Sequence, residues 1–354
     1  MVPYAALLAL LGLLAQPVTA QGPNSPLLKL EAELPALVGV TAVAVSADET
    51  ILAAAVPAGD GTMVSLFDRP SGGRLGILAA AVGEPRLLRF APGEDQLLIV
   101  GTKAMELWSL PIAALRPGQP LDNQHRIWEQ PLPAGREVRA AAFAPSGGTV
   151  YWGQGRALLR QPGGASGQAG GKAVQVWQGA EASAPAAGLA LAPRGGQAVL
   201  LNIGVKALSL VDLGDGRTVT LSGHRFPAAA LTFGLDGQLR SVDAGLNLVH
   251  WGAENRPVGQ KHIAQAPAEF APSVLLPEGP AHLWLVGQQG GKAAALLVSE
   301  EDAAVVKLIE LPTTEAIAIS PTGRYVLVAQ TEGLRLYSFG KPQSPLAYVR
   351  QLRE

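Results

Sequence analysis

The feature that most constrains this chain is an internal repeat. The stretch "AAALTFGLDGQ" (228–238) reads as a short apolar strand, a tight turn and the start of a second strand. The same shape returns as "VTAVAVSADET" (40–50), "PRLLRFAPGED" (85–95), "VRAAAFAPSGG" (138–148), "AAGLALAPRGG" (186–196) and "TEAIAISPTGR" (314–324). A degraded copy, "APSVLLPEGPA", lies at 271–281. The seven copies are spaced by 42 to 53 residues. A unit of this length cannot bury its faces alone and must stack on its neighbours.

Each copy is followed by a second apolar run, as in "QLLIVG" and "QAVLLN", and a third, as in "MVSLF", "MELW" and "NLVHW". A more polar fourth run closes most units, as in "RLGILAA", "HRIWEQ", "TVTLSG" and, in the last unit, "AYVRQL". The 42 Gly and 28 Pro are spread between the runs and punctuate short strands. Innermost strands are squeezed between neighbours, and here they are rich in Ala. The pattern predicts an all-β fold, a seven-bladed β-propeller with four-stranded antiparallel blades. "LLKLEAELP" near the N-terminus also reads as a fourth strand. It is expected to pair into the last blade and close the ring with the C-terminus beside it. An eight-bladed or incomplete ring is the alternative.

Residues 1–20, "MVPYAALLALLGLLAQPVTA", carry an uncharged apolar core too short to span a bilayer comfortably. Small residues precede Gln21, so the stretch reads as a cleaved export signal. The expected organisation is a signal peptide over 1–20 and one propeller over 21–354, in the periplasm or outside the cell. No later stretch is apolar long enough to span a membrane. The net charge of -1 argues against nucleic acid as a partner. The absence of Cys excludes thiolate metal sites and a Cys nucleophile.

The stretch from 221 to 251 adds a Gly-His pair, an Asp-Gly turn, a Ser and a closing Trp. It resembles a WD-repeat blade. Gly223-His224 matches that family's Gly-His pair, Leu235-Asp236-Gly237 its turn, Ser241 its second-strand Ser, and Trp251 the Trp of its Trp-Asp pair. The resemblance implies a structural hydrogen-bonded network through His224, Ser241 and Trp251. The position matched to the network's Asp is Gly245, and Gly252 follows Trp251, so the network is expected to be incomplete. "VSLFDRPSGG" (64–73) and "LSLVDLGDGRTVTLSGH" (208–224) fit the third-to-fourth-strand pattern. As a whole the chain looks like a divergent, exported WD-type or YVTN-type propeller. Such proteins are mostly interaction scaffolds.

Chemistry needs convergent groups, and few converge. The five His residues, 125, 224, 250, 262 and 282, show no metal-ligand spacing. No nucleophile elbow or P-loop occurs. No catalytic residue, metal or cofactor is assigned. The rival reading is a periplasmic enzyme or cofactor-binding subunit. A quinoprotein is suggested by Asp68 to Gly72 and Asp212 to Gly216, without the expected Trp; a lactonase would need more acids around the channel. Bases do gather on turns of one face: Lys103, Arg156, Lys206 and Lys292 between second and third strands, Arg136 and Arg225 between fourth and first. They are the candidate binding residues for an acidic protein partner. Glu84, Glu137 and Glu332 share that face. Two long connections, 111–125 and 161–173, lie on the other.

Overall fold

A computed structural model describes residues 28–339, apart from 35–36, 94, 165–170, 181–183, 235, 253, 279–280, 291 and 311–313. The export signal expected over 1–20 and the stretch "AYVRQL" lie outside the described residues; the fourth place of the last blade, expected for "AYVRQL", is taken by the N-terminal segment.

The described residues form seven four-stranded antiparallel sheets. Strand β1 (Leu28–Leu34) stands first in sequence. Blade 1 is β2 (Ala42–Val45), β3 (Ile51–Ala58), β4 (Gly61–Asp68) and β5 (Arg74–Ala80). Blade 2 is β6 (Pro85–Phe90), β7 (Gln96–Gly101), β8 (Ala104–Ser109) and β9 (Arg126–Pro131). Blade 3 is β10 (Val138–Phe143), β11 (Thr149–Gln154), β12 (Ala157–Pro162) and β13 (Val174–Gln178). Blade 4 is β14 (Ala186–Leu191), β15 (Gln197–Asn202), β16 (Leu208–Asp212) and β17 (Thr218–Leu221). Blade 5 is β18 (Ala228–Phe233), β19 (Leu239–Asp243), β20 (Asn247–Trp251) and β21 (Pro257–His262). Blade 6 is β22 (Phe270–Glu278), β23 (His282–Gln289), β24 (Lys292–Ser299) and β25 (Val305–Glu310). Blade 7 is β26 (Thr314–Ile319), β27 (Tyr325–Gln330) and β28 (Gly333–Phe339), with β1 as its outer strand.

The fold is therefore the seven-bladed propeller that the repeat predicts. Strand β1 runs antiparallel to β28, with Leu30 opposite Tyr337 and Leu34 opposite Leu334. The N-terminal segment thus completes the last blade, as expected, and ties the first turn of chain to the last.

Period-2 alternation explains the core. Successive residues of a strand point to opposite faces, and both faces of a blade meet a neighbour. On β7, Leu97 and Ile99 pack into the interface with blade 1, while Leu98 and Val100 pack into the interface with blade 3. This is why second strands read as unbroken apolar runs. Seven hydrophobic clusters result, each shared by two adjacent blades, with blades 7 and 1 sharing one through Leu34, Phe67 and Leu327.

The seam between blades 7 and 1 holds one irregular residue. Gly147, Gly195, Gly237 and Gly323 take a positive φ at the same place in their first-to-second-strand turns. In blade 1 that place is Glu49, with φ 61°. A left-handed non-glycine residue costs about 1–2 kcal/mol. The Glu49 side chain is fully buried and accepts a hydrogen bond from Thr322 of blade 7. Across the same seam Arg69 donates to the Tyr325 hydroxyl at 3.2 Å and lies over its ring.

Candidate functional site

Three places combine polar groups with geometry. The first is at the inner end of blade 5. His224 comes from the β17–β18 connection, Ser241 from β19, and Trp251 ends β20. The Trp251 indole donates to Ser241 Oγ at 2.7 Å, and Ser241 Oγ meets His224 Nε2 at 2.8 Å. The indole can only donate, so Ser241 Oγ accepts from it, and which of Ser241 and His224 donates in their contact is set by the imidazole tautomer. His224 Nδ1 lies 3.6 Å from Asp243 Oδ2, a Coulombic neighbour rather than a hydrogen bond. The two rings meet edge on, their centroids 5.9 Å apart.

Asp243 overturns the sequence expectation about Gly245. The acidic member of the network is present, two residues earlier, at the end of β19. It accepts the backbone N–H of Arg225 and Phe226 from one connection and of Gly245 and Asn247 from the next. A carboxylate at the strand end reaches both connections. Gly245 serves as one of its donors, and a Cβ there would run into the Phe226 ring.

Ser, His and Asp in contact invite comparison with a nucleophilic triad. Burial decides against it. Ser241 and Asp243 are wholly buried, His224 is 7% exposed, and the indole occupies the hydroxyl. No substrate carbonyl can reach Ser241 Oγ. Burial pushes the His224 imidazole below the ordinary histidine range, against the pull of Asp243. The ring is therefore neutral at pH 7.

The second place lies between blades 5 and 6 on the opposite face. Arg240 of β19 is buried and forks onto Asp236, with contacts of 2.6 and 2.9 Å. Its Nε donates to Glu300 at 2.7 Å. His250 Nδ1 is 4.0 Å from Glu300; burial, then Arg240 and Lys261, push its pKa down. Two carboxylates matched to one guanidinium make this a clasp between blades.

The third place is the face that carries the six candidate bases. The ring spreads them over several blades. Lys103 pairs with Asp60 at 3.1 Å, both exposed, a contact of little worth in water. Arg225 contributes its backbone N–H to Asp243. Lys206 stands on blade 4, and Lys292 lines a cavity of blade 6 beside Glu269. Glu84 and Glu137 are engaged by Arg86 and Arg139 at 3.4 and 3.0 Å. Arg136 and Arg156 share one cavity, of about 430 Å³. Gln154, Gln175 and Gln178 line it with them, and among the described residues no acidic residue does. The β12–β13 half of blade 3 forms its floor. Arg156 Nη1 donates to the Ala180 carbonyl at 3.2 Å, which holds that guanidinium at the rim. A larger cleft of about 650 Å³ lies on the opposite face, between the turns of blades 3 and 4.

Sequence reasoning missed Asp243, Arg240 and the pairing of Arg136 with Arg156. The Asp could have been found: a Ser-x-Asp on the second strand of the one blade with Gly-His is a local signal. The other two depend on neighbouring blades.

Among the described residues no group of three or more His, Cys, Asp or Glu could hold a metal ion, and no helix is long and apolar enough to cross a membrane. No family model matches the chain, and no curated protein matches it.

Proposed function

We propose that the protein is an exported, non-enzymatic propeller of WD-repeat-like type that acts as a protein–protein interaction scaffold. Its partner is acidic and is held on the face of the Arg136–Arg156 cavity. The observation that carries this reading is the cavity itself: two guanidiniums and three carboxamides around one opening, with no carboxylate among the described residues of its wall. Guanidinium forks match carboxylates in pairs, and carboxamides adapt to backbone or side-chain acceptors. The blade-5 network supports the WD-like assignment, and the apolar leader supports export.

The test is association of a Glu/Asp-rich peptide, followed by surface plasmon resonance. Arg136→Glu with Arg156→Glu should slow association on the order of tenfold, because rim charges act mainly on encounter. Binding should weaken as the Debye length falls from about 10 Å to 3 Å. Arg116→Glu with Lys172→Glu, on the long connections of the other face, is the control. Equal behaviour of the two pairs, or indifference to salt, removes the reading. A quinone, haem or stoichiometric metal in the natively purified protein would replace it with the enzymatic rival.

A further inference from the structure

Arg89 belongs to neither the Arg136–Arg156 cavity nor the clasp of blades 5 and 6. It is the fifth residue of β6, and its side chain is exposed. The first strands touch one another in turn around the ring, from β26 through β2, β6, β10, β14 and β18 to β22. Each has its second strand behind it and a blade on either side, so exposure on β6 is exposure to the axial channel. Protein nevertheless surrounds the guanidinium closely enough for desolvation to lower its pKa. A side chain that touches water and is still enclosed sits in water confined by channel walls.

Strand register places Ala44, Ala142, Ala190, Thr232, Leu276 and Ala318 at the same level on the other first strands. None is charged, and four end in a single methyl, so none of them can pair with the guanidinium. The acidic residues of the first strands lie at other levels: Glu315 at the bulge of β26, Glu278 two residues beyond Leu276 on β22.

The two other arginines of the first strands are matched. Arg86 has Glu84, and Arg139 has Glu137. Arg89 has no hydrogen bond or ion pair among the described residues. An arginine does not shed its proton at physiological pH. Its charge persists, and low-dielectric walls focus the field of a lone charge in a cleft.

We propose that the axial channel binds a small oxyanion on Arg89, a carboxylate or phosphate whose paired oxygens fit the guanidinium fork. The anion supplies a counter-charge that no described neighbour provides.

The experiment is calorimetric titration and thermal melting of the full chain, at constant ionic strength in chloride, with acetate and inorganic phosphate as separate arms. The expected result is one saturable site in the wild type and a melting temperature that rises with occupancy. Arg89→Gln should abolish both. Arg89→Lys should keep weaker binding, since an ammonium lacks the fork. The arm that saturates identifies the anion. No saturable response in either arm, or an Arg89→Gln protein that responds as the wild type does, overturns the proposal. Should Arg89→Gln not fold, wild-type calorimetry together with Arg89→Lys decides, and equal affinity of those two counts against the fork. Binding of the acidic peptide at Arg136 and Arg156 should be unchanged in the Arg89 variants, so this test and that of the partner site fail independently.

Discussion

Blades 2 and 5 present the same demand and meet it differently. Trp108 and Trp251 are each the fifth residue of a third strand, buried against the preceding blade. An indole N–H in a dry interface must find an acceptor or forfeit about 1–3 kcal/mol. In blade 5 the acceptor is Ser241, one strand inward, backed by His224 and Asp243. In blade 2 the residue at Ser241's place is Ile99: it lies opposite Glu106 as Ser241 lies opposite Val249. The acceptor has moved onto the Trp's own strand. Glu106 Oε2 takes the Trp108 indole at 2.8 Å, and Oε1 takes the Ala81 N–H of the preceding connection, also at 2.8 Å. The result is the same tie between strand and connection. The difference is charge: Glu106 is wholly buried, and Arg126 reaches it at 3.3 Å while also holding Glu129. The fold fixes where an acceptor is needed and leaves its chemistry open.

That comparison can be broken most forcefully at Glu106. Glu106→Ala leaves the buried Trp108 indole unsatisfied, releases the Ala81 N–H and strips Arg126 of one of its two carboxylates. Removing one member of a buried pair costs about 3–5 kcal/mol, and the partly exposed Arg126 places this case at the low end, about 3 kcal/mol. The urea midpoint should fall at unchanged slope. A loss under about 1 kcal/mol would mean that the carboxylate is dispensable and that the blades do not share a demand. His224→Ala is the smaller lesion. Trp251 keeps its acceptor and only the Ser241 hydroxyl loses a partner, so the cost is about 1–3 kcal/mol, with binding at the Arg136–Arg156 cavity intact. If binding fails at an unchanged melting temperature, His224 is part of a functional surface and the structural reading is lost.

The smallest effect separates the two blades by pH. Burial holds His224 below the ordinary histidine pKa of about 6.5. Above that value the folded and unfolded chains are both neutral there, and stability is full. As pH falls below it, the unfolded state takes up the proton first, so stability declines until pH passes the folded value. His250 contributes in the same direction. His224→Gln should flatten part of this decline, and adding His250→Gln should remove most of the rest. A stability profile between pH 7 and 5 that is identical in wild type and variants would refute the assignment of neutral His224.

Much of the architecture was legible in the chain. Strand alternation, Ala-rich first strands and Gly turns are local signals, repeated seven times, so single errors average out. Even ring closure by "LLKLEAELP" could be read, because a fourth strand without its own first three has one place to go. Other features followed from the ring. Glu49 meets Thr322 across 273 residues, and Arg69 meets Tyr325 across 256. No local pattern marks such pairs; closing blade 7 on blade 1 creates them. Arg136 and Arg156 read as two of six scattered bases until blade 3 folded them around one cavity. The run "MELW" marks a third strand and says nothing of what Glu106 faces. Only the packing of blade 1 against blade 2 gave its carboxylate the Trp108 indole and the Ala81 N–H, because sequence carries the period of a strand and the tertiary structure decides what faces it.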